Sequence, residues 1–181
     1  MSFRATSAAA LLSICLSGCD QNNQTKMLQV PASEASFVAA NNDAAIEWDA
    51  SQGNDIRLNK IRPARDALVK EAIGSGDVTG WLATVKEVGQ WDTGSAASLT
   101  LVPEGCDCTV ETWNNGISDA GDNTQIATKS AMFGVVSNLQ AGDQVVFDGH
   151  ILRERSITDA GSITDPAWVT RFTRIEPIHS N

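Results

Sequence analysis

Cys106-Asp107-Cys108 is the segment whose residue types point most directly to chemistry. In an extended strand, residues i and i+2 lie about 6.5 to 7 Å apart, whereas the Cβ atoms of a disulfide lie about 4 Å apart. A disulfide here therefore requires a turn, which Gly105 permits. Thiol redox centres more often have two intervening residues, and a zinc site needs four ligands. The pattern favours a structural pair, bonded or free, with redox or metal chemistry as the alternative.

The remaining reactive residue types form no catalytic motif. His150 has no recognisable nucleophile motif near it, and His179 is two residues from the end of the chain. The glycine-rich segment from Gly74 to Gly80 follows a predicted helix instead of a strand, and its third glycine is one residue late for a nucleotide-binding loop. We therefore expect neither enzymatic activity nor a cofactor.

The acidic loop from Asp119 to Asn123 contains carboxylates of the kind that bind calcium. An EF-hand beginning at Asp119 would need a bidentate glutamate at its twelfth position, which is Ser130 in this chain. The segment is more typical of a turn, and we expect no metal site.

Hydrophobic periodicity indicates which elements position these residues. Period-two alternation predicts strands over 78–88, 98–102, 106–113, 144–153 and 168–178, with a short helix within 126–139. Upstream, Pro63 suits the first position of a helix, and Gly74 suits its end. The basic cluster Arg57, Lys60, Arg62 and Arg65 is then predicted to form the solvated face of this helix, or alternatively to face anionic lipid.

Three strands, a short helix and two strands follow the element order of an OB-fold. Residues 139–149 also resemble the turn and fourth strand of many OB domains, and the domain is similar to uncharacterised periplasmic OB-fold proteins. The resemblance implies a mainly β fold. The implied fold is a small five-stranded barrel with a short helix between strands 3 and 4, preceded by a helix and a flexible tether. Residues 56–181 are expected to form the barrel domain together with its leading helix.

OB domains commonly bind through their loops, which here are the polar segments 114–123 and 156–165. The candidate binding residues in them are Asn114, Asn115, Asp119, Asp122, Asp159 and Asp165. The net charge of −9 and the scattered basic residues argue against nucleic acid as the partner.

The N-terminus has the order of a signal peptide, with Arg4 followed by a small-to-apolar segment that is too short to span a bilayer. Leu16-Ser17-Gly18-Cys19 resembles the lipobox of bacterial lipoproteins, which implies cleavage after residue 18 and lipidation of Cys19. The alternative is an ordinary secretory signal with a chance cysteine. In a Gram-negative cell, Asp20 resembles the signal that retains a lipoprotein at the periplasmic face of the inner membrane.

Residues 19–55 are rich in Gln, Asn, Ala and Ser and are predicted to be a polar tether. Phe37-Val38 and Ile46-Glu47-Trp48 could instead be short segments that dock on the domain. Together these features predict a membrane-anchored, non-catalytic envelope module that binds a protein, peptide or glycan. The alternatives are a thiol redox or metal-handling lipoprotein that uses Cys106 and Cys108, and a structural envelope assembly factor.

Overall fold

A computed structural model of the protein describes residues 29–91 and 94–178. The predicted signal peptide, Cys19 and Asp20 lie outside these ranges. The helices are α1 (Ala32–Ala50), α2 (Asp55–Ile73), α3 (Ala131–Val136) and α4 (Asp159–Thr164). The strands are β1 (Asp77–Gln90), β2 (Ala96–Pro103), β3 (Thr109–Glu111), β4 (Ile126–Ala127), β5 (Gln144–Glu154) and β6 (Ala167–Pro177).

Five of the strands close into a barrel in the order β1-β5-β6-β3-β2, with β2 pairing back to β1. The β3–β6 pair is parallel and the other four barrel pairs are antiparallel. Strand β4 pairs antiparallel with the first two residues of β2, Ala96 and Ala97. The helix α3 lies between the third and fourth barrel strands in chain order. The predicted OB-like barrel is therefore confirmed.

Alternating apolar residues on β1 and β5 build the barrel interior, because successive side chains of a strand point to opposite faces. Trp81 and Val85 on β1 and Phe147 on β5 are almost fully buried, and the rings of Trp81 and Phe147 lie 6.0 Å apart. Gly149 allows β6 to approach β5, since a Cβ there would lie 2.9 Å from the carbonyl oxygen of Arg171.

The third barrel strand begins at Thr109, so its predicted start at Cys106 was wrong. Gly105 has a φ of 75°, and the chain turns here before it enters the strand. The turn brings the Cα atoms of Cys106 and Cys108 to 5.1 Å, and the two residues form a disulfide. Both are buried against the barrel core, as expected for a structural pair.

The helix α2 starts eight residues before Pro63, so Pro63 lies inside it and not at its first position. Asn54 sets the start, because its side chain accepts a hydrogen bond from the N–H of Arg57. Gly74 ends the helix as predicted, with a φ of 56° and its N–H donating to the carbonyl of Lys70.

Most of the predicted tether is not a tether. Residues 32–50 form the 19-residue helix α1, which buries Phe37 completely. The Phe37 ring lies 5.1 Å from the ring of Trp81 and 5.4 Å from that of Trp168. Small and polar residues dominate this segment, so its sequence resembles a linker although Phe37 packs it against the barrel. The alternative that Phe37-Val38 docks on the domain is confirmed.

Within 29–91 and 94–178, no helix has both the length and the apolar character needed to cross a bilayer.

Candidate functional site

A polar groove lies on the outer face of the barrel, where β1, β2 and β3 run side by side. It encloses about 250 Å³. Its lining residues are Glu87, Ser98, Thr100, Glu111, Thr112, Asn114 and Arg155. All of them carry a charge, an amide or a hydroxyl group, so the groove offers hydrogen-bonding groups and little apolar surface.

Strand register explains why these side chains meet. Glu87 pairs with Thr100 across β1 and β2, and Thr100 pairs with Glu111 across β2 and β3. Residues that face each other across neighbouring strands place their side chains on the same side of the sheet. The two carboxylates therefore flank the Thr100 hydroxyl in one row.

The base of the groove is held in place by an ion pair. Glu111 is buried, and its Oε1 accepts a hydrogen bond from Arg155, whose side chain is half exposed at the mouth. The Thr109 hydroxyl donates to the other carboxylate oxygen at 3.4 Å. A neighbouring hydroxyl, that of Thr112, accepts the N–H of Leu99 at 3.0 Å. These contacts fix the polar groups before any ligand arrives.

Glu87 differs from Glu111 because it is exposed and makes no ion pair with any residue that the structure describes. The charges lining the groove are thus one paired carboxylate, one unpaired carboxylate and one guanidinium. This combination can bind hydroxyl, amide or cationic groups.

Two half-buried tryptophans lie close to the groove. Trp91 follows β1 and packs on Gly116, where a Cβ would lie 2.5 Å from the ring. Trp113 follows β3, and its Nε1 donates to Asp122 at 2.8 Å while the guanidinium of Arg153 lies 5.8 Å from its ring centre. These contacts hold the 114–123 loop at the edge of the polar face.

Asn114 is the predicted binding residue that the structure places in the groove. Its neighbour Asn115 instead accepts the N–H of Ser118 within the loop. Asp119 accepts both the N–H and the hydroxyl of Thr124, at 2.6 and 2.7 Å. Asn115 and Asp119 thus shape the loop through internal hydrogen bonds.

Asp122 connects the loop to the barrel. Its carboxylate pairs with Arg153, and its backbone carbonyl accepts hydrogen bonds from Arg171. The hydrogen bond from Trp113 is the main cause that holds the pKa of Asp122 below its usual range, and Arg153 and Arg171 act in the same direction. This carboxylate is therefore engaged within the protein.

The loop between β5 and β6 contributes to the groove through Arg155 and not through its predicted aspartates. Asp159 lies in the first turn of α4 and pairs with Arg62 at 3.1 Å, while Asp165 is exposed at the end of α4. Sequence reasoning missed Glu87, Thr100, Glu111 and Arg155. The signal available in the sequence was Glu111, a charged residue within the predicted strand 106–113.

The predicted solvated basic face is wrong for Arg65, which is 1% exposed. Its guanidinium donates to Asn41 on α1 and to both the carbonyl and the hydroxyl of Ser162 on α4. Arg62 is also occupied, since it pairs with Glu154 and Asp159. These two arginines join the helices to each other and are not free to face lipid.

His150 pairs with Asp77, its Nδ1 lying 2.7 Å from the carboxylate, and this hydrogen bond lowers the pKa of Asp77. Both side chains are solvent-accessible, and the hydroxyl of Ser75 donates a hydrogen bond to the other carboxylate oxygen of Asp77 at 3.1 Å. Across the part of the chain that the structure covers, no three His, Cys, Asp or Glu residues are grouped to hold a metal ion.

Comparisons with protein-family models, with curated proteins and with solved structures gave no match for this chain.

Proposed function

We propose that the protein is a non-catalytic binding module of the bacterial cell envelope, anchored to the membrane as a lipoprotein. Its ligand is a protein, peptide or glycan that binds in the polar groove of the barrel. The observation that supports this role is the ion pair of buried Glu111 with Arg155 at the base of an open groove.

The groove favours binding because its groups are already oriented. Binding to polar side chains that are already fixed costs less conformational entropy than binding that must first order them. The unpaired carboxylate of Glu87 adds a site for a hydroxyl, amide or cationic group of the ligand. The acidic charge of the chain agrees with a partner other than nucleic acid.

The anchor part of the proposal depends on the lipobox resemblance at Cys19. Several acyl chains hold a protein on a membrane stably, whereas one holds it only marginally. Asp20 then favours retention at the periplasmic face of the inner membrane in a Gram-negative cell. The partner on this proposal is an envelope component within reach of that membrane.

The thiol redox alternative uses Cys106 and Cys108. Both cysteines are buried, at 6% and 3% exposure, and reactive cysteines are usually partly exposed. Their burial therefore favours the binding role. The third alternative, a structural assembly factor, differs from the first by requiring a partner for the barrel to assemble.

The groove is tested by capture of envelope components on the immobilised full chain. We expect Glu87→Gln to lose the component that the wild type captures and Glu71→Gln, an identical change on the exposed surface of α2, to retain it. The captured component is then identified by mass spectrometry as protein, peptide or glycan. Equal capture by both variants would exclude the groove as the binding site.

The anchor is tested separately in a bacterial host. We expect wild-type protein to carry a diacylglyceryl group on Cys19 by mass spectrometry and Cys19→Ser to leave the membrane fraction. A wild-type protein without lipid contradicts the anchor and leaves the groove untouched.

A further inference from the structure

Glu34 is a carboxyl group buried between α1 and the barrel. It lies in the first turn of α1 and has no exposed surface. One of its oxygens accepts the N–H of Leu82 on β1 at 2.9 Å, and the other accepts the N–H of Glu104 at 3.3 Å. Through this one side chain, the start of α1 is connected to the backbone of two barrel segments.

Asn42 repeats this contact eight residues later on α1. Its amide nitrogen donates to the carbonyl of Gly105 at 2.8 Å, and its oxygen accepts the N–H of Asp107 at 3.0 Å. Residues i and i+8 are about 80° apart around a helix and belong to the same broad side of it. Glu34 and Asn42 therefore bind one turn of the barrel, residues 104–107, which overlaps the turn closed by the disulfide.

The remaining contacts of α1 with the barrel lie between these two points or beside them. Phe37 packs between the rings of Trp81 and Trp168. Ser33 accepts the indole N–H of Trp81 at 3.1 Å, and Asn41 accepts that of Trp168 at 3.2 Å. These contacts involve neutral groups, so Glu34 is the ionisable one among the α1 residues that contact the barrel here.

Among the residues that the structure describes, no cation offsets a charge on Glu34. Within the described chain it makes no ion pair, and the ionisable group that faces it is Glu104, which has the same sign. On β1 its hydrogen-bond partner is the backbone N–H of Leu82. Burial raises the pKa of Glu34 to about 7, Glu104 adds to the rise, and the two backbone hydrogen bonds oppose it.

We propose that α1 is a proton-controlled latch, docked on the barrel while Glu34 is neutral and loosened when Glu34 loses its proton. A charged carboxylate in this interface is removed from water without a cation, which weakens docking. When α1 opens, the carboxylate becomes hydrated and the charge costs little.

The direction of the pH dependence follows from linkage. The pKa of Glu34 is higher in the docked state, about 7, than its ordinary value of 4.5. The contribution of Glu34 to the docking free energy is therefore fully present below pH 4.5. It decreases as the pH rises and is lost above pH 7. Alkaline conditions release the helix, and mildly acidic conditions hold it.

Release of α1 increases the distance that the barrel can reach from the membrane, if Cys19 is anchored as proposed. With α1 docked, about 13 residues separate Cys19 from the helix, and they span at most about 45 Å when fully extended. With α1 undocked and unfolded, about 36 residues separate Cys19 from α2, with an upper limit of about 125 Å. The latch thus sets how far the barrel extends from the membrane.

Hydrogen exchange of the full chain, followed by mass spectrometry between pH 5 and 8.5, tests the latch. The opening equilibrium of residues 32–50 is obtained after correction for the intrinsic pH dependence of exchange. In the wild type we expect opening to increase by up to tenfold for each unit between pH 5 and 7 and to level off above pH 7. Glu71→Gln, the matched control on α2, should behave like the wild type.

Glu34→Gln should remove this pH dependence because its side chain is neutral throughout. Asn42→Ala should increase opening at every pH without changing the slope, since it removes two hydrogen bonds and no charge. An equal slope in Glu34→Gln and the wild type, or opening that increases as the pH falls, would overturn the latch. The same series in Cys19→Ser separates the latch from the anchor, because exchange of α1 does not require lipid.

Discussion

The guanidinium of Arg65 lies 4.9 Å from the centre of the Trp168 ring, and both side chains are buried. Asn41 of α1 binds both partners, accepting hydrogen bonds from the guanidinium of Arg65 and from the indole of Trp168. This contact joins α1, α2 and β6 at one point. The helical hairpin is therefore held on the barrel by a cation–π contact and shared hydrogen bonds as well as by Phe37.

Arg65→Lys should destabilise the protein by about 2 to 4 kcal/mol although it keeps the charge. A lysine ammonium cannot reproduce the planar fork that binds Asn41 and Ser162 together, and hydrogen bonds to charged groups contribute about 1.5 to 3 kcal/mol each. Chemical denaturation measures the change. Arg57→Lys, a substitution on the exposed part of α2, serves as the control and should have little effect. Equal stability of Arg65→Lys and the wild type would show that the fork is not needed.

Phe147→Ala should cost about 3 to 5 kcal/mol, since the ring has no exposed surface and packs against Trp81 and Phe172. The matched control is Ile157→Ala, which truncates a side chain that is 95% exposed and should leave the unfolding midpoint unchanged. Thermal unfolding followed by circular dichroism compares them. A small loss for Phe147→Ala would contradict its place in the core.

Gly116→Ala should separate the 114–123 loop from Trp91, because the added methyl would lie 2.5 Å from the indole ring. Gly134→Ala is the control, since a Cβ at Gly134 meets no atom within 4 Å and alanine favours the helix. Tryptophan fluorescence should change in the first variant and stay constant in the second. If ligand capture by the groove also falls in Gly116→Ala, the loop contributes to the binding site.

Replacing Cys106 and Cys108 by serine should lower stability by about 1.5 kcal/mol, which is the loop-closure entropy of a three-residue ring. Ligand capture should persist, because neither cysteine lines the groove. Thermal unfolding and the capture assay measure the two effects. Loss of capture by a folded double-serine variant would instead favour the thiol redox alternative.

The alternation of apolar residues determined much of the barrel in advance. Trp81, Val85, Val145 and Phe147 recur with period two, and a one-residue shift would expose them all. The roles of Gly74 and Gly105 could also be predicted from local sequence, because positive φ values favour glycine. The sequence also contained the lipobox resemblance at Cys19, on which the anchor proposal depends.

Tertiary structure decided the features that depend on contacts between distant segments. The helix α1 has few large apolar residues, and only the pocket between Trp81 and Trp168 explains why Phe37 fixes it. Arg65 has the residue type of a solvated face, but Asn41 and Ser162 supply the partners that allow its burial. Strand register likewise aligned Glu87 with Glu111 through Thr100, because pairing partners are set by barrel closure and not by local sequence.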